Sequence, residues 1–195
     1  MNGENLGTFA PTGKVVVYGL AGDNTIQLLA LSTDNVPLAF ALPAILLGGN
    51  GNDTLDATGS AAPTVLYGAS GNDVLMGGAG RNFLIGGLGA DTLIGGYGDS
   101  ILIGGETGHG WNVSALDQVL AEWGRIDLDY ASRIDHLTGT TPGGANGLVT
   151  LNAGTVYDDN VADTLTGGPG LDWYFQSAGD QLTNYDSSRE VLTTI

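Results

Sequence analysis

The sequence contains no cysteine, so no disulfide frame can hold it together. Positive charge is scarce: five Lys and Arg stand against 21 Asp and Glu, a formal net charge of −16. That imbalance disfavours nucleic acid and anionic membranes as partners and favours cations. No apolar run is long enough to span a bilayer, and no cleavable leader is visible after Met1, so membrane insertion is not expected. Ser/His/Asp spacing, HExxH and Gly-x-Ser-x-Gly are all missing. Glycine is the abundant residue, 34 of 195, far above ordinary usage.

The glycines are ordered. Between residues 48 and 105 the chain reads GGNGND (48–53), GASGND (68–73), GGAGRN (77–82), GGLGAD (86–91) and GGYGDS (95–100), each followed by a short apolar stretch. From Gly77 onward the period is nine residues. Tandem units this short cannot bury an apolar face alone and must stack, which is the signature of a solenoid. The residue types suit calcium, which takes six to eight hard oxygens at about 2.3–2.6 Å and tolerates irregular geometry. A glycine turn can aim several backbone carbonyls inward, because glycine reaches positive φ without steric cost. One Asp per turn adds a carboxylate, and turns stacked at about 4.7–4.9 Å can share an ion. The apolar residue two places after the Asp position, as at Leu75, Leu84, Leu93 and Leu102, then points into the coil.

These tandem motifs resemble the RTX (hemolysin-type) calcium-binding repeat family. The resemblance implies a right-handed parallel β-roll with two nine-residue units per coil, in a protein that is secreted and folds on meeting extracellular calcium. On that basis turns about 18 residues apart stack. The sixth motif position then forms one column, Asp53, Asp73, Asp91, His109, and an opposite column, Ala62 or Pro63, Asn82, Ser100. The step from 53 to 73 carries two extra residues, placed within 59–63. Calcium is expected between the Asp53 and Asp73 turns and between the Asp73 and Asp91 turns, with Gly49, Gly51, Gly71, Gly87 and Gly89 supplying turn geometry and carbonyls. The Asn82/Ser100 edge is expected to be weak or vacant unless Asp99 turns inward. At His109 the ladder is expected to end.

The rest of the chain divides around this core. Residues 1–47 read as irregular first coils, with a strand at 15–18, a degenerate turn at 19–26 whose Asp23 sits one place early, and apolar runs at 26–31 and 36–42. Outward positions of the core strands are unusually apolar: Phe83, Ile85, Ile101 and Ile103 on one sheet, Val74, Met76, Thr92 and Ile94 on the other. At least one outer face therefore needs a cover, most simply the chain's own downstream segment. Leu116, Val119, Leu120 and Trp123 fall at helical spacing after a capping-box-like start at Ser114, and 129–137 is a second helix. This pair, about 114–138, is assigned as the cover, with Arg125 and Arg133 paired to surface acids. Solenoid signals return at 148–151 and 155–157, and Asp163 and Asp172 stand nine apart in further turns.

The domain reading is a β-roll over 1–110, a helical cover and loop over 111–147, and a C-terminal β cap over 148–195 on the same solenoid. The fold class is mainly β. The metal set is Gly49, Gly51, Asp53, Gly71, Asp73, Gly87, Gly89, Asp91, Asp163 and Asp172, with Ca²⁺ as the cofactor. The favoured function is a calcium-binding, calcium-stabilised structural module of a secreted protein. The alternative is a polysaccharide-acting hydrolase or carbohydrate-binding module on a solenoid, using Asp99, Glu106, His109, Glu122, Asp127 or Asp129 beside Tyr97 or Trp111. Carbohydrate, or further domains of a parent protein, are the partners considered beside calcium.

Overall fold

A computed structural model describes residues 13–29 and 39–195; parts of the runs at 26–31 and 36–42 fall outside the described residues. The chain alternates long and short strands: β1 (Val15–Ala21), β2 (Thr25–Gln27), β3 (Ala44–Asn50), β4 (Thr54–Asp56), β5 (Thr64–Ser70), β6 (Val74–Met76), β7 (Asn82–Leu88), β8 (Thr92–Ile94) and β9 (Ser100–Ile103). It then leaves the roll through β10 (Glu106–Thr107), α1 (Val113–Trp123), α2 (Tyr130–Thr138) and β11 (Val156–Tyr157). It returns as β12 (Thr164–Thr166), β13 (Trp173–Gln176), β14 (Gln181–Thr183) and β15 (Val191–Thr194).

Odd-numbered strands of the roll stack in one parallel sheet, β1-β3-β5-β7-β9-β13-β15, and even-numbered ones in another, β2-β4-β6-β8-β12-β14. This is a parallel β-roll. Register follows the leucines: Leu46, Leu66, Leu84 and Leu102 stack in the first sheet, and Leu55, Leu75, Leu93 and Leu165 in the second. All eight are fully buried between the sheets, each contributing about 1.5–3 kcal/mol. Asp56 pairs with Met76 and Thr64 with Asn82, so seven residues (57–63) face five (77–81). Gly78 stacks on both Ala57 and Ser60, so the two extra residues are Thr58 and Gly59, at the near edge of the 59–63 expected.

The two outer faces differ. Phe83, Ile85, Ile101 and Ile103 lie fully buried in a second core with Leu116, Val119, Leu120, Trp123, Ile134 and Leu137 of the helical pair. The cover is therefore intramolecular, as the apolar outward pattern required. The outer face of the short-strand sheet is open, with Val74, Met76 and Thr92 partly exposed and Ile94 exposed.

Four expectations need correction. Helix α1 is capped by Asn112, whose Oδ1 accepts from Ala115 N–H at 3.1 Å; Ser114 lies inside the first turn, two residues too late to act. Arg133 is not a surface partner. It is buried, with its guanidinium 4.6 Å from the Trp123 ring centre, donating to Asp99 Oδ2 (2.7 Å) and the Trp123 carbonyl (3.0 Å). Residues 148–151 form no strand and Leu148 is exposed, while β11 pairs antiparallel with β10, off the roll. Finally, the ladder does not end at His109. His109 sits in the excursion, its Nε2 3.1 Å from the Thr150 carbonyl oxygen, and the coils resume at Asp163.

Candidate metal centre

The turns between long and short strands bring one aspartate per coil to a single edge. Backbone N–H of each donates to Oδ1 of the next: Asp53 to Asp73 at 2.6 Å, Asp73 to Asp91 at 2.7 Å, Asp91 to Asp163 at 2.8 Å, and Asp163 to Asp180 at 3.0 Å. Asp163 thus takes the place the sequence spacing had given to His109. The sequence did hold a signal for it: Asp-Thr-Leu recurs at 53–55, 91–93 and 163–165.

The second oxygen is the informative one. Oδ2 of Asp53, Asp73, Asp91 and Asp163 is buried and accepts no hydrogen bond. A lone buried carboxylate oxygen costs several kcal/mol unless a cation or donor meets it. Each Oδ2 faces the first glycine of its own turn. A Cβ placed on Gly48 would run into Asp53 Oδ2 and the Gly68 carbonyl; on Gly68, into Asp73 Oδ2 and the Gly86 carbonyl; on Gly86, into Asp91 Oδ2 and the Gly104 carbonyl. Three successive intervals therefore hold the same cradle, an unpartnered carboxylate oxygen opposite a glycine carbonyl of the next coil. On Gly104 the added atom would run into the Asp163 side chain, Oδ2 nearest.

Glycine is required because the turns stack backbone against backbone. Gly51 and Gly71 hold φ of 127° and 131°, and a Cβ on Gly71 would collide with the Gly51 carbonyl. Ala69 stands where neighbouring coils have Gly49 and Gly87, and it too is forced to positive φ, 85°.

The opposite edge shows what the same cradle looks like when it needs no ion. Its sixth-position column is Thr64, Asn82, Ser100, Asp172 and Glu190, with Thr64 where Ala62 or Pro63 had been expected. Asn82 Nδ2 lies 2.8 Å from the carbonyl oxygens of Gly80 and Gly95 and 3.3 Å from that of Gly78. Ser100 Oγ donates to Gly95 (2.8 Å) and Gly98 (3.2 Å). A built-in donor occupies the cradle. Asp99 turns instead to Arg81 and Arg133. Asp172 accepts from Ser100 N–H and Gly168 N–H, both at 2.7 Å, so neither of its oxygens is left over.

The aspartate edge is closed at both ends by self-satisfied residues. Asn24, stacked before Asp53, donates to Asp53 Oδ1 from its backbone (2.7 Å) and side chain (3.1 Å) and to the Gly22 carbonyl. Asp180 at the far end has Oδ2 held by Ser177 N–H and Oγ–H. Asp23, one place early, accepts from Asn52 N–H.

Burial raises the carboxyl pKa values of Asp73, Asp91 and Asp163; backbone N–H bonds lower them by less, and like charge on neighbouring aspartates adds to the rise. Asp73 is pushed up to about 6, Asp91 to about 8 and Asp163 to about 7. Asp172, buried on the other edge, rises to about 6. Among the described residues no three acidic or histidine side chains converge. An ion here would draw one carboxylate oxygen per interval and the rest from carbonyls, a donor set of hard oxygens that fits calcium and not a soft metal.

Five of the six groups considered for catalysis are taken up structurally. Asp99 holds two arginines, Asp127 pairs with Arg125, Asp129 caps α2 through Ser132 N–H, and His109 faces Thr150. Glu122 is fully buried against His136 Nδ1 (2.6 Å) and Ala145 N–H. Glu106 remains, on a cleft lined by none of the file aspartates.

A family model for the RTX calcium-binding nonapeptide repeat matches residues 45–61 and 85–106, with four copies. The stretch it leaves out holds the turn with Ala69, whose fold is nonetheless the same as its neighbours'. No curated protein and no solved structure matches the chain.

Proposed function

Because a family model for the RTX calcium-binding repeat matches residues 45–61 and 85–106, we propose that this chain is a calcium-stabilised structural module of a secreted protein. The metal-facing residues are Asp53, Asp73, Asp91 and Asp163, with carbonyls from the turns containing Gly49, Gly51, Gly71, Gly87 and Gly89. The carrying observation is the row of buried, unpartnered Oδ2 atoms opposite glycine carbonyls, set against an opposite edge where Asn82 and Ser100 donors fill the same space. Asp172, with both oxygens satisfied, stands outside the set.

Bound calcium supplies positive charge and hard coordination. The chain supplies a preformed file of oxygens whose mutual repulsion opposes folding until it is neutralised, so binding free energy becomes folding free energy. With a formal charge of −16, three ions reduce the net charge to about −10 and relieve self-repulsion across the roll. A roll that needs calcium remains loose where free calcium is low and sets where it is plentiful, which suits a chain that is exported before it folds.

Calorimetric titration with Ca²⁺, and thermal melts followed by circular dichroism in calcium and in EDTA, test the reading. About three bound ions and a large fall in melting temperature in EDTA are expected. An unchanged melt together with no heat of binding would sink it.

A further inference from the structure

A cleft of about 720 Å³ opens where the excursion leaves the roll, lined by Tyr18, Tyr67, Glu106, Trp111 and Asn112 among others. Its chemistry is unlike that of the aspartate edge. Tyr18 and Trp111 are about half exposed, at 52% and 56%, although large rings are ordinarily drawn into a core. Trp111 is braced edge-on against Tyr67, ring centres 5.4 Å apart, which fixes its orientation. Tyr67 is buried and its hydroxyl lies 2.9 and 3.1 Å from the two oxygens of Glu106. The carboxylate borders the cleft, and one hydroxyl donor leaves it acceptor capacity to spare. Asn112 uses Oδ1 to cap α1, leaving its amide N–H₂ as a donor. No basic side chain lines the cleft among the described residues.

We propose that this cleft is a binding site for a neutral saccharide, with the Trp111 and Tyr18 rings as stacking surfaces and Glu106 as the acceptor for sugar hydroxyls. Exposed rings match the apolar C–H faces of a pyranose. A carboxylate held by a tyrosine accepts from adjacent hydroxyls, and the Asn112 amide donates in return. The size lies in the range of small-ligand sites. Anionic ligands are disfavoured by Glu106 and by the net charge of −16. The site uses none of the aspartate file and stands or falls separately from calcium binding there.

Trp123 and Trp173 are fully buried, so Trp111 is the exposed tryptophan and its fluorescence reports the cleft. The full chain in calcium is titrated with hexasaccharides of cellulose, chitin, xylan, starch and laminarin, recording emission and acrylamide quenching. At least one should shift the emission and protect Trp111 from acrylamide. Trp111→Ala, which removes the reporter, is followed by calorimetric titration and should lose binding, and Tyr18→Ala and Glu106→Gln should each weaken it roughly five- to tenfold. Each variant is first shown to retain the wild-type melting temperature in calcium. Choline and calcium alone serve as cation controls. Protection by a cation and by no saccharide overturns the proposal, as does a Trp111 already shielded from acrylamide in the free protein, or no response to any of the five.

Discussion

The backbone N–H of Asp91 donates to Oδ1 of Asp163, a residue 72 positions later, at 2.8 Å. This bond has the same geometry as those between Asp53 and Asp73 and between Asp73 and Asp91. It makes Asp163 the next member of the file, packed against Gly104, whose carbonyl closes the Asp91 cradle. Asp163→Ala is therefore expected to lose about one bound calcium and lower the melting temperature in calcium, with little effect in EDTA. Calorimetric stoichiometry alongside melts in both buffers measures it; a full ion count would contradict the placement.

Comparison of the two edges predicts a chain that dispenses with metal. Asn82 fills its cradle with an amide donor, where Asp73 leaves Oδ2 bare. Asp73→Asn should supply that donor. In EDTA it should stabilise the chain on the order of 1–3 kcal/mol, while lowering the calcium count. The reverse change, Asn82→Asp, should destabilise in EDTA by a similar amount. Urea unfolding in EDTA compares the two, and destabilisation by Asp73→Asn under those conditions would refute the argument.

The raised carboxyl pKa values give a pH dependence with a definite sign. Asp73 at about 6, Asp163 at about 7 and Asp91 at about 8 hold protons in the folded chain that the unfolded chain has released near pH 4. Without metal, their contribution to stability is complete below about pH 4 and is lost as pH rises through these values. Asp99 and Asp127, held low by their arginines, act in the opposite sense, and only in more acidic solution. Between pH 5 and about 8.5 the melting temperature in EDTA should fall with rising pH, while in saturating calcium it should stay nearly flat. Calcium binding at pH 7 should also release protons, visible as a buffer-dependent heat.

One buried cation ties the helical cover to the roll. Arg133 joins Asp99 of the roll to the Trp123 carbonyl of α1 and stacks on the Trp123 ring. Arg133→Met keeps the stem and removes the charge, leaving Asp99 with Arg81 alone. A loss of about 3 kcal/mol is expected in urea unfolding, with the calcium count unchanged. A loss of ions instead would mean that the cover helps shape the aspartate edge.

Much of this was legible in the residues. The glycine spacing located the turns, the leucine two places on located the inner core, and Phe83, Ile85, Ile101 and Ile103 announced a covered face because a solvated sheet would not carry them. Asp53, Asp73 and Asp91 were readable as one file because a fixed coil length separates them. Counting fails once a coil is interrupted. The excursion between β9 and β12 has its own helices and hairpin, so spacing alone cannot show that Asp163 stacks on Asp91. Arg133 was misread for a related reason: its partner Asp99 lies 34 positions away, and acids nearer in sequence competed for it. The Asn112 cap was hidden by Ser114, which has the right chemistry two residues too far along.

The excursion also imposes a timetable on assembly. The coils from β3 to β9 close over separations of about 18 to 20 residues, as in the steps from Asp53 to Asp73 and on to Asp91. The next step spans 72, with two helices to be laid down and docked in between. Closure entropy grows with loop length, and distant contacts form late. The early coils can therefore gather first, and the junction at Asp163 is the late latch on which the last coils then stack.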